Sequence, residues 1–171
     1  VAATLVAASA AVSWGVGLGL AEWNHDRFGL VPWLALPKWP AAAACILVLD
    51  LVDYWRHRLE HEIPFWWRFH RSHHTDPDID VTTSFRLHPV EVVPSVVLTT
   101  GAVLLLGPPP VAVAAFGLLS PCATLFSHAR IRLPLWIETP LGWVTRTPAI
   151  HRMHHSAVEH ETNSNYANLF I

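Results

Sequence analysis

The chain has 171 residues, of which 52% are hydrophobic and only 14% charged, with a formal net charge of -2 and a mean hydropathy of +0.33. Ordinary soluble domains carry about a quarter charged residues, so this composition excludes a typical water-soluble globule, and its apolar content excludes a solvated coil. Nothing in the charge offers a basic field or a Lys/Arg run to nucleic acid, which leaves the membrane class.

Apolar stretches of bilayer-crossing length fall at about residues 1–21, 40–56, 89–106 and 109–127. The first opens on Val1 within an apolar run, so the chain reads as a fragment with both termini truncated, forming one integral domain over residues 1–171. Pro40 suits the start of a helix. The run AAAACILVLDLV then passes unbroken into DYWRHRLEH, which predicts a helix continuing past the membrane surface. Pro94 predicts a kink in the third span, and GPPP at Gly107 to Pro110 predicts a tight reversal that makes the third and fourth spans an antiparallel hairpin. Beyond the fourth span, LPLWIETPLGWV with Trp136 and Trp143 predicts a helix lying in the membrane surface. Cys45 and Cys122 sit in apolar stretches and read as packing residues, not as a disulfide framework.

Of the eleven Lys/Arg, only Arg27 and Lys38 separate the first two spans; the others fall in 56–86 and 130–152, which predicts a cytoplasmic face there. The expected fold is all-α: an integral membrane four-helix bundle, multi-pass, with a cytoplasmic histidine-rich helical cap.

Three short clusters lie on that Arg-rich side: HRLEH with His57 and His61, HRSHH with His70, His73 and His74, and HRMHH with His151, His154 and His155. On a helix, positions i, i+3 and i+4 share a face, so each cluster can aim two or three imidazoles at one point. A lone pair of this kind is ordinarily a solvated surface feature. Three together point to metal, and eight imidazoles exceed the four ligands of a single tetrahedral ion, which favours two ions. Imidazole suits iron, copper, zinc and nickel alike. A site at the end of apolar helices faces lipid chains, whose C–H bonds yield to oxygen activated by a redox metal and not to acid–base work, so iron fits and zinc does not.

This series of motifs across a four-span protein resembles the membrane di-iron fatty acid hydroxylase and sterol desaturase superfamily. The likeness is carried by DYWRHRLEHEIPFWWRFHRSHHTDPDIDVTTSFRLHPVE and TPAIHRMHHSAVEHETNSNYANLF, over about residues 45–92 and 124–170. It implies an integral membrane oxidoreductase that uses dioxygen and two iron ions to hydroxylate or desaturate a lipid or sterol C–H bond, with zinc a possible substitute in isolated protein. The implied metal ligands are His57, His61, His70, His73, His74, His151, His154 and His155. His128, in LFSHARI, stands where the family has a further ligand, although a lone His there can also cap the helix. Four residues on, where the fatty-acyl hydroxylase branch tends to have another His, this chain has Arg132, so the sterol-oxidase-like branch fits better.

Asp53, one turn before His57, can accept the second ring N–H of that imidazole or pair with Arg56. His88, in RLHPVE, is a candidate to face substrate or to support a ligand, and His160 a candidate to steady the last cluster. Small residues in the third and fourth spans leave room for a lipid groove or serve simple helix packing. No Gly-rich dinucleotide fingerprint occurs, so electrons are expected from a separate donor. Two rivals remain. In HRLEH, His57 and His61 with Glu60 as base match a zinc-peptidase pattern but leave at least five clustered histidines idle. A metal-binding or metal-transporting membrane protein without catalysis should carry polar groups near the bilayer midplane, whereas these clusters lie beyond the apolar runs.

Overall fold

The computed structural model describes the backbone of residues 2–170 and the side chains of residues 11 and 13–170. Every regular element among the described residues is helical. The chain runs through α1 (Ala2–Asn24), a single turn α2 (Leu30–Trp33), α3 (Lys38–Glu62), α4 (Pro64–His70), α5 (Val92–Leu106), α6 (Pro110–Ser127), α7 (Leu135–Leu141), α8 (Pro148–His154) and α9 (Glu159–Thr162). Three 3₁₀ turns, His73–Thr75, Thr83–Phe85 and Pro89–Glu91, join α4 to α5. The segments Pro89–Leu106 and Pro110–Ser127 are long and apolar enough to cross a membrane.

Helices α1 and α3 each pack against both α5 and α6. At 1.5 Å per residue the 25 residues of α3 extend about 37 Å, and the helix runs unbroken from its apolar half through DYWRHRLEH, whose polar residues fill its last turns. Small side chains let the helices approach. Ala21, Leu49, Val103, Val113 and Phe116 form one buried cluster, and Val31, Ala41, Ala42, Cys45 and Ala112 a second. Cys122, by contrast, is exposed on α6, so only one of the two cysteines is a packing residue.

The reversal between α5 and α6 is fixed by two glycines in backbone contact. Gly107 ends α5 in the left-handed region at φ 59°, and Gly29 has φ 119°. A Cβ on Gly107 would stand 2.4 Å from the Phe28 carbonyl oxygen. Asn24, wholly buried at the end of α1, donates from Nδ2 to the carbonyls of Leu104 and Val103, 3.2 Å each, the latter also accepting the Gly107 N–H, and so ties α1 to the last turn of α5.

The kink expected at Pro94 does not form there: Pro94 is the third residue of α5, where a missing N–H breaks no helical bond. Interior prolines are Pro140 in the short α7 and Pro121 in α6, the latter removing the donor to the Gly117 carbonyl one turn back. Gly117 in turn packs on the Trp14 ring, 3.2 Å from where a Cβ would stand. As the sequence suggests, α7 lies on the surface, with Leu135, Trp136 and Trp143 at 79, 76 and 82% exposure.

Replacing Gly107 with Ala is expected to lower the thermal unfolding midpoint in detergent, through about 1–2 kcal/mol of left-handed strain plus the clash with Phe28. Gly101→Ala, where an added Cβ meets nothing within 4 Å, is expected not to lower it; equal midpoints for the two variants would refute this account of the turn.

Candidate metal centre

Nine histidines converge at the ends of α3 and α6. His57 and His61 lie one turn apart on the projecting end of α3, and His70 ends α4. His73 and His74 follow in a 3₁₀ turn, so HRSHH is not one helical face as the spacing suggested, and His73 groups with His128, His151 and His155 while His70 and His74 do not. His128 caps α6. Helix α8 carries His151 and His154, with His155 as its C-cap, and its start is set by the Thr147 side chain, which accepts the Ile150 N–H, followed by Pro148.

The imidazoles sort into two sets whose potential ligand atoms lie within 4.8 Å of one another: His57, His61, His70, His74 and His154 in one, and His73, His128, His151 and His155 in the other. His74 and His155 stack across the boundary, ring centroids 4.2 Å apart. All nine sequence candidates are therefore brought together.

In six of the nine, the outer ring nitrogen faces an acceptor. His57 Nδ1 donates to the Tyr166 carbonyl at 2.9 Å, His73 Nδ1 to Thr83 at 3.1 Å, His128 Nδ1 to Thr124 at 2.8 Å and His154 Nδ1 to Ser164 at 2.6 Å. His70 Nδ1 donates to the Glu91 carboxylate at 2.7 Å, and His61 Nδ1 faces Asn163 Oδ1 at 3.4 Å. A nitrogen opposite a carbonyl carries the proton, which leaves its Nε2 as a bare lone pair.

The inner nitrogens then conflict unless a cation joins them. His73 Nε2 lies 3.1 Å from His128 Nε2, and His57 Nε2 3.2 Å from His154 Nε2, and in both pairs both Nδ1 atoms are already committed as donors. Protonation offers no escape, because burial holds His73 and His154 well below the ordinary imidazole range. A cation between the lone pairs resolves the repulsion. Two ligands about 2.1 Å from one ion at right angles are about 3.0 Å apart, and the Nε2 pairs, including His128 with His151 and His151 with His155, span 2.9 to 3.2 Å. His61 Nε2 and His70 Nε2 are buried without any hydrogen-bond partner, as befits further donors to an ion.

The residues named as supports fall elsewhere. Asp53 does not touch His57, whose outer nitrogen the Tyr166 carbonyl has taken; it accepts from Arg56 Nε at 2.8 Å and from Asn168 Nδ2 at 3.0 Å. His88 caps the Pro89–Glu91 turn by accepting the Val90 N–H and packs on Phe69, and its backbone N–H donates to the Glu91 carboxylate that also accepts from His70. His160 is an exposed side chain on α9. Glu60 is no free peptidase base, being 1% exposed, bonded to Arg56 Nη1 at 2.6 Å and 3.7 Å from His70.

Sequence reasoning missed the carbonyls of Thr83, Ser164 and Tyr166, which have no residue signature, and also Glu91, Arg146 and Asn168. An Asn within the otherwise apolar ANLF, and an Arg directly before the TP that starts α8, were the available signals. Arg146, 5% exposed, donates to Ser127 Oγ at 3.2 Å; burial lowers its pKa to about 10, so it stays cationic at neutral pH.

A cavity of about 320 Å³ opens between α1, α5 and α6 and reaches both sets, touching His57, His70, His73, His128 and His151. Its walls are apolar at Trp14, Val96, Phe116 and Leu125, and its inner end is polar at Asp53, Arg56, Arg146 and Asn168.

An apolar helical bundle ending in two sets of buried, tautomer-locked imidazoles has the donor set of a histidine-rich metalloprotein. The chain belongs to the fatty acid hydroxylase family, whose model matches residues 42–171. It is 28% identical over 158 residues to an alkylglycerol monooxygenase of Homo sapiens, covering 87% of this chain and 32% of that protein. It is 33% identical over 138 residues to an ornithine lipid hydroxylase of Rhizobium tropici, covering 78% of this chain and 41% of that one. The chain thus spans 32 to 41% of the length of these relatives. No solved structure matches it.

Burial lowers the imidazole pKa of His70 to about 4 and of His155 to about 2, and holds His73, His151 and His154 well below 6.5. Below 6.5 the unfolded chain takes up protons that the folded chain refuses, so stability is fully present above that value and is lost as pH falls. The metal-free protein is expected to show a level unfolding midpoint above about pH 7 that drops between about pH 6.5 and 4. A midpoint that is flat or rising on acidification through that window would contradict the buried neutral imidazoles.

Proposed function

We propose that this chain is the metal-bearing part of a membrane-bound, dioxygen-dependent lipid hydroxylase, with two iron ions held by the nine convergent histidines. The observation that carries the reading is the pair of facing Nε2 lone pairs, His73 with His128 and His57 with His154, which only a cation reconciles. Imidazole does not select iron over zinc, but oxidation of an unactivated C–H bond does. Iron, when bound, supplies the redox chemistry needed to activate dioxygen. Both relatives named above are oxygenating lipid enzymes by name, which favours hydroxylation over desaturation and a lipid over a sterol.

The residues of the chain divide the remaining work. The carbonyls of Thr83, Thr124, Tyr166 and Ser164 fix tautomer and ring orientation, holding each Nε2 toward the centre before any ion arrives. The apolar wall of the cavity takes an alkyl chain, and Trp14 and Phe116, edge to face at 5.5 Å, stiffen that wall. Arg146 and Asp53 at the inner end, the latter fixed by Arg56 and Asn168, hydrogen-bond the polar part of the lipid and so position one carbon beneath the imidazoles. Burial of the centre keeps bulk water from the reacting carbon. The helices lie in the bilayer, with the histidines on the cytoplasmic side among most of the Arg residues, and a separate donor supplies the electrons.

His73→Ala in the full-length protein is expected to lower bound iron and abolish lipid product. Thr99→Trp, which fills the cavity from α5, is expected to leave iron content unchanged while product formation falls at least tenfold. Unchanged iron in His73→Ala, by metal analysis, would refute the ligand assignment. Undiminished turnover in Thr99→Trp, by lipid profiling, would refute the cavity assignment.

A further inference from the structure

The two sets of imidazoles are oriented by different parts of the chain. In the set of five, three outer nitrogens face one short segment: His61 faces the Asn163 side chain, His154 donates to the Ser164 carbonyl and His57 to the Tyr166 carbonyl. The Tyr166 ring also lies against the same three imidazoles, centroids 5.1 to 5.8 Å away. In the set of four, the outer nitrogens that have acceptors use Thr83, and Thr124 on the helix that His128 itself caps. The C-terminal segment supplies no acceptor to them and meets that set only through the side-chain bond between Thr124 and Asn168, while the Thr124 carbonyl that His128 uses is fixed by α6 itself.

That segment holds its place by contacts made farther along. Asn168 Nδ2 donates to Asp53 at 3.0 Å and to Ser120 Oγ at 2.6 Å, and its oxygen accepts from Thr124 Oγ1 at 3.2 Å, so a single amide ties α3 to α6. The N–H groups of Leu169 and Phe170 donate to the two Asp50 oxygens at 2.9 and 3.0 Å, and Leu169 is buried in the core cluster of Leu49 and Phe116. Asp50 and Asn168 sit 6 and 5% exposed, so these are bonds shielded from water, where removal of one partner leaves a buried polar group unsatisfied.

We propose that residues 163–170 form a strap that sets the occupancy of one metal position, the one built by His57, His61, His70, His74 and His154, independently of the other. This rests on the two-ion reading above. Asn163 and Asn168 act as positioning residues: neither is a ligand, and each acts through the imidazoles that the strap orients. Partners of this kind typically contribute ten- to hundredfold in metal affinity, so loosening the strap weakens one position by that factor while the other keeps its own supports.

The test counts metal per chain in the full-length protein purified in detergent, and follows release of iron to a chelator. The wild-type protein is expected to hold two ions and release them in two phases. Asn168→Ala is expected to retain about one ion, with one release phase accelerated ten- to hundredfold and the other unchanged. Asn163→Ala, which removes an exposed side chain and only the acceptor of His61, guards against misfolding: it is expected to accelerate the same phase, more weakly, without moving the unfolding midpoint of the metal-free protein. His73→Ala is expected to keep the strap-held ion, and combining it with Asn168→Ala to remove both. Loss of both ions together in Asn163→Ala, or unchanged release in both strap variants, overturns the strap assignment. A wild-type protein that takes up fewer than two ions overturns the two-ion reading itself.

Discussion

The structure depends on a repulsion that it does not itself relieve. Neutral imidazoles whose Nδ1 protons are committed to carbonyl oxygens present Nε2 lone pairs to each other at about 3 Å, in a region where burial prevents any of them from becoming cationic. Isolated, such a layer would spread apart or admit water. Its convergence from α3, α4, a 3₁₀ turn, the end of α6 and α8 suits a cation-binding centre, where the free energy of ion binding adds to that of folding when ligands are assembled from distant segments.

Given that constraint, the rest of the fold serves to aim nitrogens. The Nδ1 partners of His57 and His154 lie in the strap, those of His73 and His70 in the connection between α4 and α5, and that of His128 in its own helix. Sequence separations of 109 residues for His57 with Tyr166 and 97 for His57 with His154 mean that no local element can form the centre alone. The helical bundle is thus a device for bringing three chain regions to one end. Two of its helices, Pro89–Leu106 and Pro110–Ser127, are long and apolar enough to cross a membrane, and the polar layer lies at one end of them, where α3 turns polar.

Much of this was legible in the sequence, because the residues concerned announce themselves. Imidazole is a rare side chain, and nine of the twelve histidines converge. Apolar runs and prolines mark helices by length, and GPPP marks a reversal. What was not legible was geometry carried by backbone. The carbonyls of Thr83, Ser164 and Tyr166 belong to residues whose side chains say nothing about them, and so Asp53, a carboxylate at suitable helical spacing, looked like the natural partner of His57. Likewise His88 has the residue type of a ligand but the position of a cap: Pro89 after it and Glu91 two residues further make the turn that its ring completes. Pro94 and Pro121 show the same limit, since a proline bends a helix only where an N–H would have had an acceptor, and that depends on where the helix begins.

The choice of ligand leaves an electrostatic problem that the surroundings answer. Nine neutral imidazoles bring no negative charge, so the charge of any cation they hold must be balanced outside the donor set. Asp50, Glu60 and Glu91, all at most 6% exposed, with the half-buried Asp53, supply four carboxylates against the two guanidinium groups of Arg56 and Arg146. An excess of buried carboxylate is costly in an apolar medium unless a compensating charge is near. Glu91, touching a ligand through the His70 Nδ1 proton, and Glu60, 3.7 Å from the same nitrogen, are placed where an ion beyond the ring would provide it. The carboxylates and the facing lone pairs, each unfavourable without a nearby cation, therefore point to the same positive charge, with Arg56 and Arg146 already neutralising part of the carboxylate surplus.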